Sequence, residues 1–175
     1  MKLKPQTTAT RRARRSEQMI LFRIAHQLFA ISANAVQEVR SADGMTGRIA
    51  EVPRAELRKV RHVVQRGERT VYVIDGGIQF GIPAAQSALV FVLRDLRAAL
   101  LVDAIDRMAS FTALHALPEA FCHEERGWYR GLVILDSNVI PVVDPRGLLS
   151  RGDLDLLDAN EHAPAANRRE VRASA

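Results

Sequence analysis

Cysteine is almost absent from this chain of 175 residues. Cys122 stands alone, so no internal disulfide can form, which suits a reducing, cytoplasmic compartment. Aromatic residues make up only 5%, and an aliphatic core is expected. No apolar run reaches the ~20 residues that a membrane helix needs. No apolar stretch follows the basic N-terminal residues before Met19, so a secretory signal is not expected either. A phosphate-cradling loop is missing, because Gly76-Gly77 lacks the following lysine and serine or threonine. The one grouping with metal-ligand chemistry, His115, Cys122, His123 and Glu124, fits no zinc spacing. Cys122 and His123 are adjacent, whereas a nucleophile and its oriented base come from separate segments that meet in space. No catalytic set, metal, cofactor or small-molecule substrate is expected.

Acidic residues are missing from one segment only. Residues 1–15 carry six cations and no acids, residues 16–150 carry fifteen of each sign, and residues 151–175 carry four cations and five acids. The net charge of +5 is therefore the property of a tail and not of a folded surface. A basic arm of this kind leaves open a second reading, a nucleic-acid-associated barrel protein with steeply salt-dependent binding.

What the chain does contain is a repeat. Val71-Tyr72-Val73-Ile74-Asp75 and Ile140-Pro141-Val142-Val143-Asp144 end on aspartates 69 residues apart. The same offset lays Phe22 on Phe91, Ala30 on Ala99, Val36 on Ile105, Val39 on Met108 and Arg61 on Arg130. A single offset held across both ends of each half indicates a duplicated β unit, two similar subdomains in tandem. At 47% hydrophobic and 26% charged, the chain can bury a core.

The pattern predicts strands at 19–24 and 27–31 around an Ala25-His26 turn, at 36–39, and at 70–74. Asp43-Gly44 marks a loop over 41–47. Pro53 opens either a short helix through 61 or a connection to a strand already begun at 60–64. Residues 93–108 suit an amphipathic helix by spacing, but the repeat assigns them to strands. Residues 118–128 form a polar connector, and 132–135 with 139–143 form a closing hairpin around Asp136-Ser137-Asn138. Asp153 is placed to cap a short last helix. Asp75 and Asp144 are expected to cap turns, Asp103 and Asn34 to form Asx turns, and Trp128 and Tyr129 to pack in the core or between the subdomains. Many short strands at close spacing suggest small β barrels. The organisation expected is a disordered basic tail (1–17), a folded region of two repeat-related subdomains (18–150), and a short helix with a disordered tail (151–175, disorder from 159).

Several segments together resemble the CheW-like domain family of bacterial chemotaxis-type signalling. They are Phe22-Arg23-Ile24 with Phe29-Ala30-Ile31, Val36-Gln37-Glu38-Val39-Arg40, Arg48-Ile49-Ala50-Glu51-Val52-Pro53, Val71 to Asp75, Leu100-Leu101-Val102-Asp103-Ala104-Ile105, and Tyr129-Arg130-Gly131-Leu132 with Pro141-Val142-Val143-Asp144. The resemblance spans about residues 19–150, and it implies a strand over 48–53 that leads into Pro53. It implies an all-β fold of two five-stranded SH3-like barrels packed side by side, with short helices and disordered termini. It implies a non-catalytic adaptor whose partners are the regulatory domain of a CheA-type histidine kinase and the cytoplasmic tip of a methyl-accepting chemoreceptor. It puts Val36, Glu38 and Val39 on the partner surface, with Ile105 and Met108 as their repeat mates, and Arg66-Gly67 at the kinase contact. One departure stands out. Where the family carries G-V-x-N-L-R-G before the V-x-V-x-D strand, His62 and Gln65 replace the first glycine and the asparagine, and Arg66-Gly67 falls one residue early.

Overall fold

In the computed structural model of the chain, residues 16–45, 47–83, 86–121 and 123–162 are described. The expectations for residues 1–15 and 163–175, and for Cys122, lie outside the described residues. The strands are β1 (Glu17–Ile24), β2 (Gln27–Ser32), β3 (Val36–Ser41), β4 (Arg48–Ile49), β5 (Val60–Arg66), β6 (Arg69–Asp75), β7 (Leu89–Leu93), β8 (Ala98–Val102), β9 (Ala104–Phe111), β10 (Tyr129–Leu135) and β11 (Asn138–Val143). The helices are α1 (Gly76–Gln79), α2 (His123–Trp128) and α3 (Arg151–His162). Residues 93–108 hold the end of β7, a turn at 94–97, β8 and most of β9, and no helix, as the repeat requires. The alternatives after Pro53 both hold in part, because a 3-10 helix at Ala55–Lys59 runs directly into β5.

Four local expectations are corrected. The segment 48–53 forms only the two-residue strand β4. The polar connector ends in α2, with Glu124 and Glu125 in its first turn. The last helix continues through 159–162, and its N-cap is Ser150: Asp153 N–H donates to Ser150 Oγ at 3.1 Å, and Ser150 N–H donates to Asp153 Oδ2 at 2.8 Å. That is a capping box, with Asp153 as the reciprocal member. Asp103 makes no local turn. Its carboxylate accepts from Ala25, Gln86 and Ser87 N–H groups at 2.6–2.8 Å and so staples the β1–β2 turn to the segment before β7. Asp75 and Asp144 do cap the turns after β6 and β11, accepting from Ile78 and Arg146 N–H.

The strands form two sheets, β10-β11-β2-β1-β9 and β3-β7-β8-β6-β5-β4. Under the 69-residue shift the five strands of the first sheet map onto five of the six in the second, with β1 and β2 exchanged for β7 and β8 and β4 left without a strand counterpart. Each barrel therefore takes its first hairpin from one half of the chain and its remaining strands from the other. The register repeats as well: Val142 pairs in parallel with Ala30 in one sheet, and Val73 with Ala99 in the other. Both sheets curl until their ends meet. Glu38 on β3 reaches Arg66 on β5 at 2.8 Å, and the repeat mate of Glu38, Arg107 on β9, reaches Asp136 beyond β10 at 3.7 Å.

Alternation along the strands sorts the core. Met19 and Leu21 fill the β1–β2 barrel with Ala30, Val133, Ile140 and Val142. Ile20, Phe22 and Ile24 face the other way, into a large cluster with Phe29, Tyr72, Ile74, Phe91, Leu93 and Leu100 between the barrels. Val71, Val73, Val90, Val92, Ala99 and Leu101 fill the β5–β6 barrel. Both faces of the central strands are buried, so their sequences are continuously apolar instead of alternating. The core is not purely aliphatic. Phe91, Phe22, Phe29, Phe80 and Tyr129 form a connected run of ring contacts, with centroids 4.9–5.7 Å apart, that crosses between the barrels. Trp128 joins it edge-on at Phe80.

Candidate partner-binding surface

The hairpin β5–β6 organises the site. Arg66 pairs with Arg69 across a two-residue turn, Gly67-Glu68. Only Gly67 takes a positive φ, +60°, the backbone of a II′ hairpin turn, which glycine enters without steric cost. The equivalent turn between β10 and β11 is Asp136-Ser137, where both residues have positive φ, the I′ pattern. The two loops have equal length and differ in turn type.

His62 occupies the place of Gly131. Gly131 has φ +154°, and a Cβ there would lie 2.5 Å from His115 O, so glycine is required. On β5 the same bulge, between Val60 and His62, is retained, and His62 is not among the positive-φ residues. Burial lowers its pKa below the usual 6.5, helped by Arg61 and opposed by Asp75. Its Nδ1 is buried without a hydrogen-bond partner.

Glu38 joins this hairpin to β3. Its Oε2 accepts from Arg66 at 2.8 Å and its Oε1 from Arg40 at 2.5 Å. The hydrogen bond from Arg40 is the main reason that its carboxyl titrates below the usual range, and the positive charge of both guanidinium groups adds to it. Val36 is buried at 7% exposure and pairs with Leu93, while Val39 is exposed at 38%. A bulge between Val36 and Glu38 leaves Gln37 outside the pairing, and it breaks the alternation that would put Val36 and Glu38 alike on one face. Val36 is thus a core residue whose neighbours are presented. The structure brings Glu38, Arg66 and Gly67 together beside a cleft also lined by Gln37, Arg69, Val71, Val92, Leu93 and Leu96. Ile105 and Met108 are exposed at 40% and 53%, but they lie on β9, the corresponding edge of the other barrel. The expected residues therefore form two patches related by the repeat. Sequence reasoning missed Arg40 as the second partner of Glu38, although its i, i+2 spacing on a strand places it on the same face.

The sequence profile of the CheW-like domain matches residues 18–153. The chain belongs to the CheW-like domain family. Comparison with individually curated proteins gives no match. Among solved structures, the scaffolding protein TtCheW from Thermoanaerobacter tengcongensis superposes with a TM-score of 0.64 at 16% identity, over 79% of this chain and 91% of that one. At that identity the likeness speaks for the fold, two SH3-like barrels. Family membership makes this CheW-like chain a chemotaxis-type scaffold or adaptor. Among the described residues, no helix is long and apolar enough to cross a membrane.

Proposed function

We propose that this chain is a non-catalytic cytoplasmic adaptor that couples chemoreceptors to a CheA-type histidine kinase. The observation that carries the reading is the convergence of Glu38, Arg66 and Gly67 on one barrel edge, beside an open cleft with apolar walls. Arginine at such an edge offers a planar, multi-donor head suited to a protein partner. The kinase regulatory domain is assigned to this edge, and Val39, Ile105 and Met108 supply apolar contact for it and for the receptor tip. Coupling follows from assembly: an adaptor that holds both partners fixes their geometry and raises their local concentration.

The test is a pull-down with the regulatory domain of each CheA-type kinase of the source genome as bait. Saturable binding that survives removal of residues 1–15, and falls at least tenfold with Arg66→Ala, supports the reading. Binding to none of these kinases rejects it, and retention that depends on the basic tail and collapses with salt favours the nucleic-acid alternative.

A further inference from the structure

The interiors of the two barrels are not equally filled. At the shared offset, Phe111 corresponds to Ala42, Met19 to Ala88, Leu21 to Val90, and Ile140 to Val71. The first member of each pair packs in or against the β1–β2 barrel core. Of the second members, Val71, Val90 and Ala42 belong to or pack on the β5–β6 barrel core, while Ala88 is exposed where Met19 is 1% exposed. Of these second members Val71 and Val90 line the space that results, whereas Ala42, Ala88 and Leu101, which stands in place of Ser32, do not. That space is a cleft of about 60 Å³, walled by Val64, Val71, Val73, Val90, Val92 and Ala99. Met45 also lines it, and an unbranched thioether adapts readily to what packs beside it.

The rim is basic. Arg40 and Arg66 replace Ala109 and Leu135 of the other barrel, and both draw on one carboxylate, Glu38. Arg69 adds a third cation in the adjoining cleft. This charge disfavours the chain's own ends as occupants. Residues 1–15 carry six cations and no acids, and residues 163–175 carry three cations and one acid.

We infer that the mouth of the β5–β6 barrel is a socket for one bulky aliphatic or methionine side chain of a partner protein, presented by a segment with flanking carboxylates. The side chain takes the place that Leu21 and Ile140 fill in the sister barrel, and the carboxylates meet Arg40, Arg66 and Arg69. The inference rests on reading the chain as a protein-binding adaptor, but it does not depend on which partner supplies the segment.

The experiment is a methyl NMR titration of the full chain with a short blocked peptide holding a central leucine between aspartates. Saturable shifts are expected at Val71, Val90, Val92 and Met45. A peptide with alanine at the centre, or with lysine flanks, should bind about tenfold more weakly or worse, in line with the transfer energy of one aliphatic side chain. Filling the socket with the sister residue, by Val90→Leu or Val71→Ile, should weaken the leucine peptide about tenfold with the circular dichroism unchanged. If Val90→Leu does not fold, Val71→Ile carries the test. The inference is overturned if the leucine peptide produces no shifts, if the alanine peptide binds as well, or if the filled variants bind normally. Self-association that Val71→Ile abolishes would also overturn it, by making a second copy the occupant. No kinase enters this titration, so its failure is separable from a failed pull-down.

Discussion

At the scale of single residues, the most informative positions are those where one half of the repeat breaks the chemistry of the other. Gln79 is 4% exposed, and both its amide atoms are buried without partners, whereas its repeat mate Leu148 is fully buried and apolar. An unsatisfied buried amide costs roughly 1–3 kcal/mol. Gln79→Leu should therefore raise stability by about 1–2 kcal/mol, or several degrees in Tm for a chain of this size, readable by thermal denaturation. His62 predicts a pH dependence. Its folded pKa lies below 6.5, so the unfolded chain binds the proton more readily. The stability associated with neutral His62 is complete above 6.5 and is lost as pH falls from there toward the folded value. Urea unfolding at pH 7.5 and 5.5 should show a smaller loss on acidification for His62→Gln than for the native chain, and equal losses would refute the assignment. The sequence marked His62 as a departure from a glycine. It did not show that the bulge survives with a residue outside the positive-φ region, since a strand bulge is set by pairing with β6.

At the scale of elements, α3 is the piece least explained by the repeat. It follows the closing hairpin and lies against the other barrel, where Leu157 is buried at 2% exposure. Asp158 clasps it there. The carboxylate accepts from Tyr72 Oη at 2.6 Å and from both terminal nitrogens of Arg97 at 2.7 and 2.5 Å, while Arg97 also sits 5.5 Å from the Tyr72 ring centre. The Arg97 hydrogen bonds, more than that from Tyr72, hold the Asp158 carboxyl below its ordinary pKa. Burial raises the Tyr72 phenol, and its hydrogen bond to Asp158 adds to the rise. Asn160 and Glu161 fasten the far end, to Glu51 O and to Arg48. Asp158→Ala strands two donors and should cost about 2 kcal/mol. Amide exchange over residues 151–162 should then quicken while β1 and β2 stay protected. Uniform protection in the variant would show the clasp to be idle. Capping residues made the helix visible in the sequence, but its length and target were not, because Leu154, Leu156 and Leu157 suit any nearby apolar surface.

At the scale of the whole molecule, the exchange of hairpins makes the two barrels one folding unit. Neither half of the chain can complete a sheet, since β11 needs β2 and β8 needs β6. The aromatic run from Phe91 to Tyr129 also draws on both halves. Calorimetry of the full chain should give a single transition, with van't Hoff and calorimetric enthalpies equal. Two resolved transitions would contradict the shared architecture. For the same reason a fragment ending at residue 83 should lack fixed structure alone and recover it when mixed with the fragment beginning at 86, as followed by circular dichroism.

The sequence by itself determined the duplication, the strand content, and the caps at Asp75 and Asp144, because these depend on residues near one another in the chain and on a period that can be counted. It also placed Glu38 and Arg66 as candidates through family resemblance. Only the tertiary structure decided that the hairpins trade places, that Glu38 closes a barrel through Arg66 and Arg40, and that Val36 is buried while Val39 is not. It alone showed that smaller side chains leave the second barrel open. Each of these turns on which strands lie side by side. In a duplicated chain, β2 meets similar apolar partners whether it pairs with β6 or β11, so local pattern cannot choose between them. The choice is made by the simultaneous burial of both strand faces, one inside a barrel and one between the two, which is a property of the assembled molecule.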